Sequence, residues 1–279
     1  MIISVFPYIE NESVRRLTGD VLSELDRLKC HVYVTKECTG QLPGHHVVYS
    51  KPDKMMEDCD LAIAIGGDGT TLRIAKKAAF YDKCVLGING GRLGFMSGLE
   101  ANELSLLGNV VTGKYKVDKR MMLQADIIRE NQATETFHCL NDAVVTRGDY
   151  ARLIDVNIHC EERPVWDVRA DGVIVSTPTG STAYSMAVVS PETDCFVVTS
   201  ICPHSLIDRS IVFPSSKALY VKVQNDVDNN SIFTADGKRP VQIDGRTVVR
   251  ISKSPYVARL IKVKPDNFYE ILRKKIIER

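Results

Sequence analysis

The sequence predicts two domains of different class: a Rossmann-like parallel α/β domain, then a mainly antiparallel β-domain. Up to about residue 115, short apolar runs alternate with amphipathic stretches. After about residue 118, β-branched runs are broken by turn residues every ten or so positions. The last fifteen residues return to helical spacing. We therefore expect an α/β domain over 1–117, a β-domain over 118–263, and a C-terminal helix within 264–279 that returns to the first domain.

The first part of the chain has the strand and helix signals of a parallel sheet. Short apolar runs predict buried strands at residues 2–6, 31–35, 61–65 and 84–88. Apolar side chains at helical spacing predict helices over 13–28 and 71–80. Strands that alternate with helices are typical of a parallel sheet with crossover helices.

The second part has strand signals almost throughout. Its β-branched runs lie at residues 142–148, 152–160, 172–177, 196–200, 218–224 and 247–252. The tail places Phe268, Ile271, Leu272 and Ile276 on one helical face, with Asp266 or Asn267 available as the N-cap.

Composition excludes several classes of partner. The 279 residues are 44% hydrophobic and 25% charged, as in globular proteins, and the net charge of +1 lacks the basic excess of nucleic-acid binders. The apolar runs are far shorter than the ~18 residues of a membrane helix, and no basic region precedes the first of them, so we expect no membrane segment and no signal peptide.

The eight cysteines have no C-x-x-C spacing. We expect reduced, buried thiols in a cytoplasmic protein, with a zinc site or a disulfide framework as the alternatives.

The strongest local motif is the glycine-rich loop Gly66-Gly67-Asp68-Gly69-Thr70, between a buried strand and a helix. Glycines let a ligand approach backbone N–H groups, and a helix N-terminus favours an anion, so the loop predicts phosphate binding. A carboxylate there repels phosphate unless a metal ion or a substrate hydroxyl intervenes, which makes Asp68 a candidate reactive group. The alternative is a tight turn in which Asp68 only caps the helix.

Further polar blocks follow neighbouring strands. A second glycine cluster occupies residues 87–95, and ligands of open α/β sheets bind at the carboxyl ends of strands. The block 170–185 contains six serine and threonine hydroxyls, which suit ribose and amide groups, although a polar loop would have the same composition. Asn141 and Asp142 precede a β run and could equally be a turn signal.

In order and spacing, these blocks resemble the NAD kinase family. The resemblance rests on GGDGT at 66–70, GINGGRLGF at 87–95, LND at 140–142, DGVIVSTPTGSTAYS at 171–185 and ICPHSLIDRSIVFP at 201–214. It implies a kinase that uses ATP to phosphorylate the 2′-hydroxyl of the adenosine ribose of NAD, giving NADP. It also implies Mg²⁺ or another divalent cation, held mainly by the donor phosphates, and a homodimer or homotetramer.

The resemblance assigns roles to matching residues. It places Asp68 opposite the accepting hydroxyl, with Gly66, Gly67, Gly69 and Thr70 around the phosphates. The positions that resemble NAD contacts are Phe95, Asn141, Asp142, Arg169, Asp171, Thr182, Ala183, Tyr184 and Ser185. Among these, Asp142 stands where the family usually has Glu, which keeps the charge and shortens its reach by one methylene.

One stretch departs from the family pattern. After Ser185 the family continues through small residues that end in Gly-Gly-Pro, whereas here Ala187 is followed directly by Val188. About four residues of the pattern are absent. We expect them to belong to a mobile segment left out of the printed chain, because the flanking blocks are intact; a true deletion would put the nicotinamide pocket in doubt.

Two other functions share part of these signals. A lipid kinase of the diacylglycerol type has the GGDGT loop but leaves the 171–185 and 201–214 blocks unexplained, and the chain shows no basic amphipathic helix for a membrane surface. A non-catalytic NAD(P)-binding sensor would keep the hydroxyl-rich block and would have no use for an acid in the glycine loop.

Overall fold

The computed structural model describes residues 1–42, 46–91, 94–148, 152–205, 209–224, 231–265 and 268–274. The chain divides into two compact units. One consists of Met1–Lys119 with Val257–Arg279, and the other of Arg120–Tyr256. The predicted fold class, α/β followed by all-β with a C-terminal helix, is confirmed.

The first unit contains a parallel sheet with helices in its connections. Its elements are β1 (Ile2–Pro7), α1 (Glu12–Arg27), β2 (His31–Thr35), β3 (Val48–Ser50), α2 (Pro52–Asp58), β4 (Leu61–Gly66), α3 (Asp68–Ala79), β5 (Cys84–Asn89), β6 (Leu99–Glu100) and α4 (Leu107–Val111). Strands β5, β4, β1, β2 and β3 lie side by side in this order, and every pair is parallel. Gly66 at the end of β4 is opposite Asn89 at the end of β5, so the two glycine-rich loops leave the sheet next to each other.

Strand β4 is the centre of the first unit's core. All of its residues are buried, as the uninterrupted apolar run predicts for a strand covered on both faces. Helix α1 buries the apolar stripe that the spacing predicts, and the Asn11 side chain caps it by accepting hydrogen bonds from the N–H groups of Ser13 and Val14.

The second unit is an antiparallel β structure. Its elements are β7 (Lys116–Ile128, which enters from the first unit), β8 (Glu135–Cys139), β9 (Asp142–Arg147), β10 (Ile154–Cys160), β11 (Arg163–Ala170), β12 (Gly172–Ser176), α5 (Pro178–Ser181), β13 (Cys195–Ile201), β14 (Ile211–Pro214), β15 (Leu219–Gln224), β16 (Ser231–Ala235), β17 (Lys238–Ile243) and β18 (Val248–Lys262, which leaves toward the first unit). Strands β14, β13, β12, β9, β16 and β17 form one sheet in this order, while β10 pairs with β11 and β15. Side chains from these strands, such as Val145, Val173, Ile158 and Val221, share one core.

One helix differs from its predicted start, and the tail helix lies within its predicted range. Helix α3 begins at Asp68 rather than at residue 71, so the last three of the five residues of the glycine-rich loop lie in the first turn of the helix. The tail helix, α6, is Phe268–Leu272. The proposed cap residues Asp266 and Asn267 lie outside the described residues, as does Ile276.

The cysteines are all free thiols. Burial raises the pKa of the Cys38, Cys59 and Cys195 thiols, which keeps them protonated and unreactive. Within the described residues, no group of three His, Cys, Asp or Glu side chains could hold a metal ion. The described helices include none that is long and apolar enough to cross a membrane.

Glu103 ties the start of the C-terminal tail to the rest of the first unit. Its carboxylate accepts hydrogen bonds from the Glu100 N–H at 2.8 Å and from Lys264 Nζ at 2.6 Å. Burial alone would raise the pKa of this carboxyl, but the bonds from Lys264 and Glu100 outweigh it and hold the pKa below the ordinary 4.5.

We expect Glu103→Gln to lower the free energy of unfolding by about 1 kcal/mol near pH 7. Because the folded-state pKa is lowered, this stabilisation is present above the ordinary pKa of 4.5 and is lost as the pH falls through the folded value. Urea unfolding of both proteins should therefore give a gap that closes in acid. Glu12→Gln, which removes an exposed ion pair with Arg16, is the control and should change little. A gap that stays constant down to about pH 3 would contradict this account.

Candidate active site

The Asp68 carboxylate is held by the second glycine-rich loop. Oδ2 accepts a hydrogen bond from the Phe95 N–H at 2.9 Å, and Oδ1 accepts one from the Met96 N–H at 3.1 Å. The N-cap of α3 is Gly67, so the alternative in which Asp68 caps the helix is wrong. Its negative charge still lies at the helix N-terminus, where the helix dipole stabilises it. Two predicted site residues, Asp68 and Phe95, are thereby brought into contact.

Gly94 makes this contact possible. A Cβ at this position would lie 2.3 Å from Asp68 Oδ1 and 2.9 Å from Ser97 Oγ. Both distances are shorter than any normal van der Waals contact, so a side chain at residue 94 would push the carboxylate away from the amides. Sequence reasoning missed this role, although the Gly-Phe pair at 94 and 95 belongs to a glycine-rich cluster that it identified.

The phosphate-binding residues predicted from the first loop lie around the first turn of α3. Gly66 has φ +153°, and a Cβ there would lie 2.6 Å from Thr70 Oγ1, so this turn requires glycine. Gly67 and Gly69 are exposed and have open space where a Cβ would be. The first N–H groups of an α-helix have no hydrogen-bond partner within the helix. An anion can therefore approach the backbone amides of the first turn of α3 directly.

Phe95 is supported by the C-terminal tail. Its ring centroid lies 6.1 Å from that of Phe268 on α6, with the two rings inclined by 44°. Phe268 is buried and Phe95 is half-buried, which leaves part of the Phe95 ring accessible. The tail therefore helps to fix an aromatic side chain next to Asp68.

In the second unit, Asp142 is the first residue of β9, and Asn141 lies in the connection between β8 and β9. Thr177 binds it from the start of α5: the Thr177 hydroxyl donates to the Leu140 carbonyl at 2.6 Å, and the Thr177 N–H donates to the Asn141 carbonyl at 2.8 Å. A Cβ on Gly180 would lie 2.2 Å from the Asn141 carbonyl oxygen, so α5 packs backbone against backbone on this connection. The interpretation of Asn141 and Asp142 as only a turn signal is therefore incomplete, because residues distant in sequence form hydrogen bonds with this segment.

Two predicted NAD contacts at the end of β11, Arg169 and Asp171, each have an ion-pair partner. Asp171 is half-buried and pairs with Arg147, whose Nε lies 2.7 Å from Asp171 Oδ1. Arg169 is exposed, its Nε is 3.9 Å from Asp155 Oδ1, and its carbonyl accepts a hydrogen bond from the His204 N–H. Asp171 therefore presents a partly neutralised carboxylate to any ligand.

The hydroxyl-rich block continues from α5 into a turn. Thr182 is the C-cap of α5, and Ala183 is exposed. Tyr184 is 56% exposed, so most of its ring is open to a ligand. Ser185 is buried, and its hydroxyl shares a 2.7 Å hydrogen bond with Thr199.

The loop after Ser185 is truly short, and the expectation of a segment left out of the printed chain is wrong. The full sequence joins Ala187 directly to Val188. The backbone closes because the Ala187 N–H donates to the Ser181 carbonyl at 2.8 Å and the Val189 N–H donates to Ser181 Oγ at 3.1 Å. Met186 adopts φ +51° and is 83% exposed, so the short turn is closed at the cost of a left-handed residue.

Comparison with known proteins follows the same division of the chain. The ATP-NAD kinase N-terminal domain pattern matches residues 9–115, and the ATP-NAD kinase C-terminal domain pattern matches residues 140–263. An NAD kinase of Symbiobacterium thermophilum is 38% identical over 273 residues, 96% of each chain. An NAD kinase of Carboxydothermus hydrogenoformans is 40% identical over 231 residues, 81% of this chain and 82% of the relative.

Solved structures agree with this likeness. The structure of an NAD kinase from Archaeoglobus fulgidus in complex with ATP is similar with a TM-score of 0.77 and 25% identity, over the whole of both chains. Yeast NADH kinase complexed with NADH gives a TM-score of 0.88 at 22% identity, over all of this chain and 87% of that one, which supports the fold.

We expect Gly94→Ala to lower the free energy of unfolding by about 1–3 kcal/mol, because the new methyl group and the Asp68 carboxylate cannot both keep their positions. Gly91→Ala is the matched control, since a Cβ at Gly91 meets nothing within 4 Å. Urea unfolding of the two variants measures the difference. Equal stabilities would show that the loop moves aside without cost and that Gly94 does not constrain Asp68.

Proposed function

The chain belongs to the ATP-NAD kinase family, and from this premise we infer that it transfers the terminal phosphoryl group of ATP to the 2′-hydroxyl of the adenosine ribose of NAD. The products are NADP and ADP. The observation that carries the mechanism is the Asp68 carboxylate, held by two amides of the second glycine-rich loop at the N-terminus of α3.

Asp68 suits the role of general base. A secondary hydroxyl is a poor nucleophile at neutral pH, and a carboxylate that accepts its proton lowers the barrier to attack on phosphorus. The bonds from the Phe95 and Met96 amides hold the Asp68 carboxylate in place, so a substrate hydroxyl would meet an acceptor of fixed position. In the transfer, the ribose oxygen bonds to the γ-phosphorus, the bond from this phosphorus to the bridging oxygen of ADP breaks, and the hydroxyl proton moves to Asp68.

The donor phosphates are proposed to bind at the first turn of α3. The exposed Gly67 and Gly69 let phosphate oxygens approach the backbone, and Gly66 and Thr70 fix the turn. Phosphoryl transfer needs mainly positioning and charge stabilisation, which such a loop supplies.

A divalent cation fits this arrangement only as a companion of ATP. Within the described residues no group of three metal ligands exists, and Mg²⁺ in kinases is commonly held by one or two carboxylates and by substrate phosphates. We propose Mg²⁺ held mainly by the donor phosphates, with Asp68 as a protein carboxylate that could contact it. When bound, the ion neutralises charge on the transferring phosphoryl group.

NAD is proposed to contact the residues that the family resemblance indicates. On the adenosine side these are Phe95, Asn141 and Asp142. On the side of the hydroxyl-rich block they are Arg169, Asp171, Thr182, Ala183, Tyr184 and Ser185. Their exposure supports this in part: Tyr184 and Ala183 are open to a ligand, whereas Asp142 and Ser185 are buried and offer NAD only a small accessible surface.

We also propose that the enzyme is cytoplasmic and works as a homodimer or homotetramer. The family resemblance supports the assembly. The balanced net charge of +1 and the free thiols support a reducing, aqueous compartment.

The proposed activity is tested by incubating the purified protein with NAD, ATP and Mg²⁺ and measuring NADP. We expect NADP from the wild type, and a loss of about 10²–10⁴ in kcat for Asp68→Asn, which keeps size and removes the general base. Asp20→Asn, an exposed acid on α1, is the control and should keep full turnover. Phosphorylation of diacylglycerol instead of NAD would favour the lipid kinase, and NAD binding without turnover would favour a sensor. Wild-type turnover by a folded Asp68→Asn protein would remove Asp68 from the mechanism.

Tyr184→Ala should weaken NAD binding more than it slows chemistry. An exposed ring beside a polar turn offers a stacking face for a base, and such stacking is worth about 1–3 kcal/mol, so KM for NAD should rise about tenfold. Tyr8→Ala removes another exposed tyrosine and should leave KM unchanged; Tyr8 is 47% exposed. Steady-state kinetics of both variants decide the matter, and an unchanged KM with a reduced kcat for Tyr184→Ala would assign it a different role.

A further inference from the structure

Asp236 lies at the turn between β16 and β17, in a part of the sequence that belongs to none of the motifs identified above. It adopts φ +49° and is followed by Gly237 at φ +65°, which are left-handed conformations typical of a tight turn. The Asp236 side chain contacts the connection between β8 and β9.

The Asp236 carboxylate accepts hydrogen bonds from three consecutive backbone N–H groups. Oδ2 accepts from Leu140 at 3.1 Å, and Oδ1 accepts from Asn141 at 2.8 Å and from Asp142 at 3.2 Å. In return, the Asp236 N–H donates to the Asp142 carbonyl at 2.9 Å. Leu140 and Asn141 belong to no strand, so the sheet does not order their amides and a side chain must do so.

Thr177 completes the arrangement from the carbonyl side. It donates to the carbonyl oxygens of Leu140 and Asn141, while Asp236 accepts from their N–H groups. The backbone of these two residues is therefore fixed through donors and acceptors alike. A carboxylate fits the N–H side because it is an acceptor at both oxygens, whereas an amide side chain would turn a donor toward donors.

We propose that Asp236 is a positioning residue for NAD: it fixes the backbone from which Asn141 and Asp142 meet the dinucleotide, without touching the substrate itself. The inference rests on the proposed function, because it needs Asn141 and Asp142 to contact NAD. It predicts that loss of the carboxylate impairs NAD recognition selectively, since the ATP site is assigned to the first turn of α3.

The test compares wild type, Asp236→Asn and a matched control, Glu161→Gln. Glu161 lies in the β10–β11 turn of the same unit, has φ +55°, and accepts the Ala218 N–H at 2.9 Å through its carboxylate. For Asp236→Asn we expect KM for NAD to rise about tenfold or more while KM for ATP stays within about twofold, because charge-assisted bonds to one segment are lost. We also expect faster amide hydrogen exchange at 140–142. Glu161→Gln should change neither KM.

Several outcomes overturn the proposal. Unchanged exchange at 140–142 would show that the carboxylate does not order this segment. Faster exchange with an unchanged KM for NAD, or an equal rise in both KM values, would make Asp236 merely structural. If Asp236→Asn does not fold, Asp236→Glu keeps the charge and moves the oxygens by one methylene; it should raise KM for NAD and leave KM for ATP, and a wild-type KM for NAD would refute the proposal. A wild type that makes no NADP would refute the proposed function instead, and hydrogen exchange would still report on Asp236.

Discussion

The contact between the Asp68 carboxylate and the amides of Phe95 and Met96 is the constraint on which the candidate site of the first unit depends. It joins the loop after β4 to the loop after β5. The parallel register, with Gly66 opposite Asn89, brings the loops close, and the missing side chain at Gly94 lets them touch. A reactive carboxylate needs a fixed position more than it needs burial, and two backbone donors provide it.

The second unit uses the same chemistry at a different place. There the carboxylate of Asp236 accepts three consecutive amides, and Thr177 binds the carbonyls of the same segment. In both units, a connection outside the regular strands is ordered by a carboxylate from elsewhere in the chain. Backbone amides of loops have no sheet partners, so such bonds replace those that a strand would have.

The sequence alone was sufficient for the fold class, for α1 and for most strands. Period-2 and continuous apolar runs locate strands because burial on one or two faces leaves that pattern in the chain. Prediction from the sequence failed at the ends of some elements. Helix α3 begins at Asp68 and not at residue 71, because glycine and aspartate in a first turn have no apolar periodicity to reveal the helix. The short turn after Ser185 was likewise taken for a missing segment, since only the bonds to Ser181 show that it closes.

The residue types of the candidate site could be predicted from the sequence, because chemistry that handles phosphate and hydroxyl groups needs glycine, a carboxylate and short hydroxyl side chains near strand ends. The hydrogen-bond partners that hold those residues in place could not be predicted. The partners of Asp68 are 27 and 28 positions away, and those of Asp236 lie 94 to 96 positions away. No local pattern encodes such pairings, because they arise only when strands distant in sequence become neighbours in a sheet. The sequence thus determined the fold class and the chemistry available, and the tertiary structure decided which backbone groups those side chains hold.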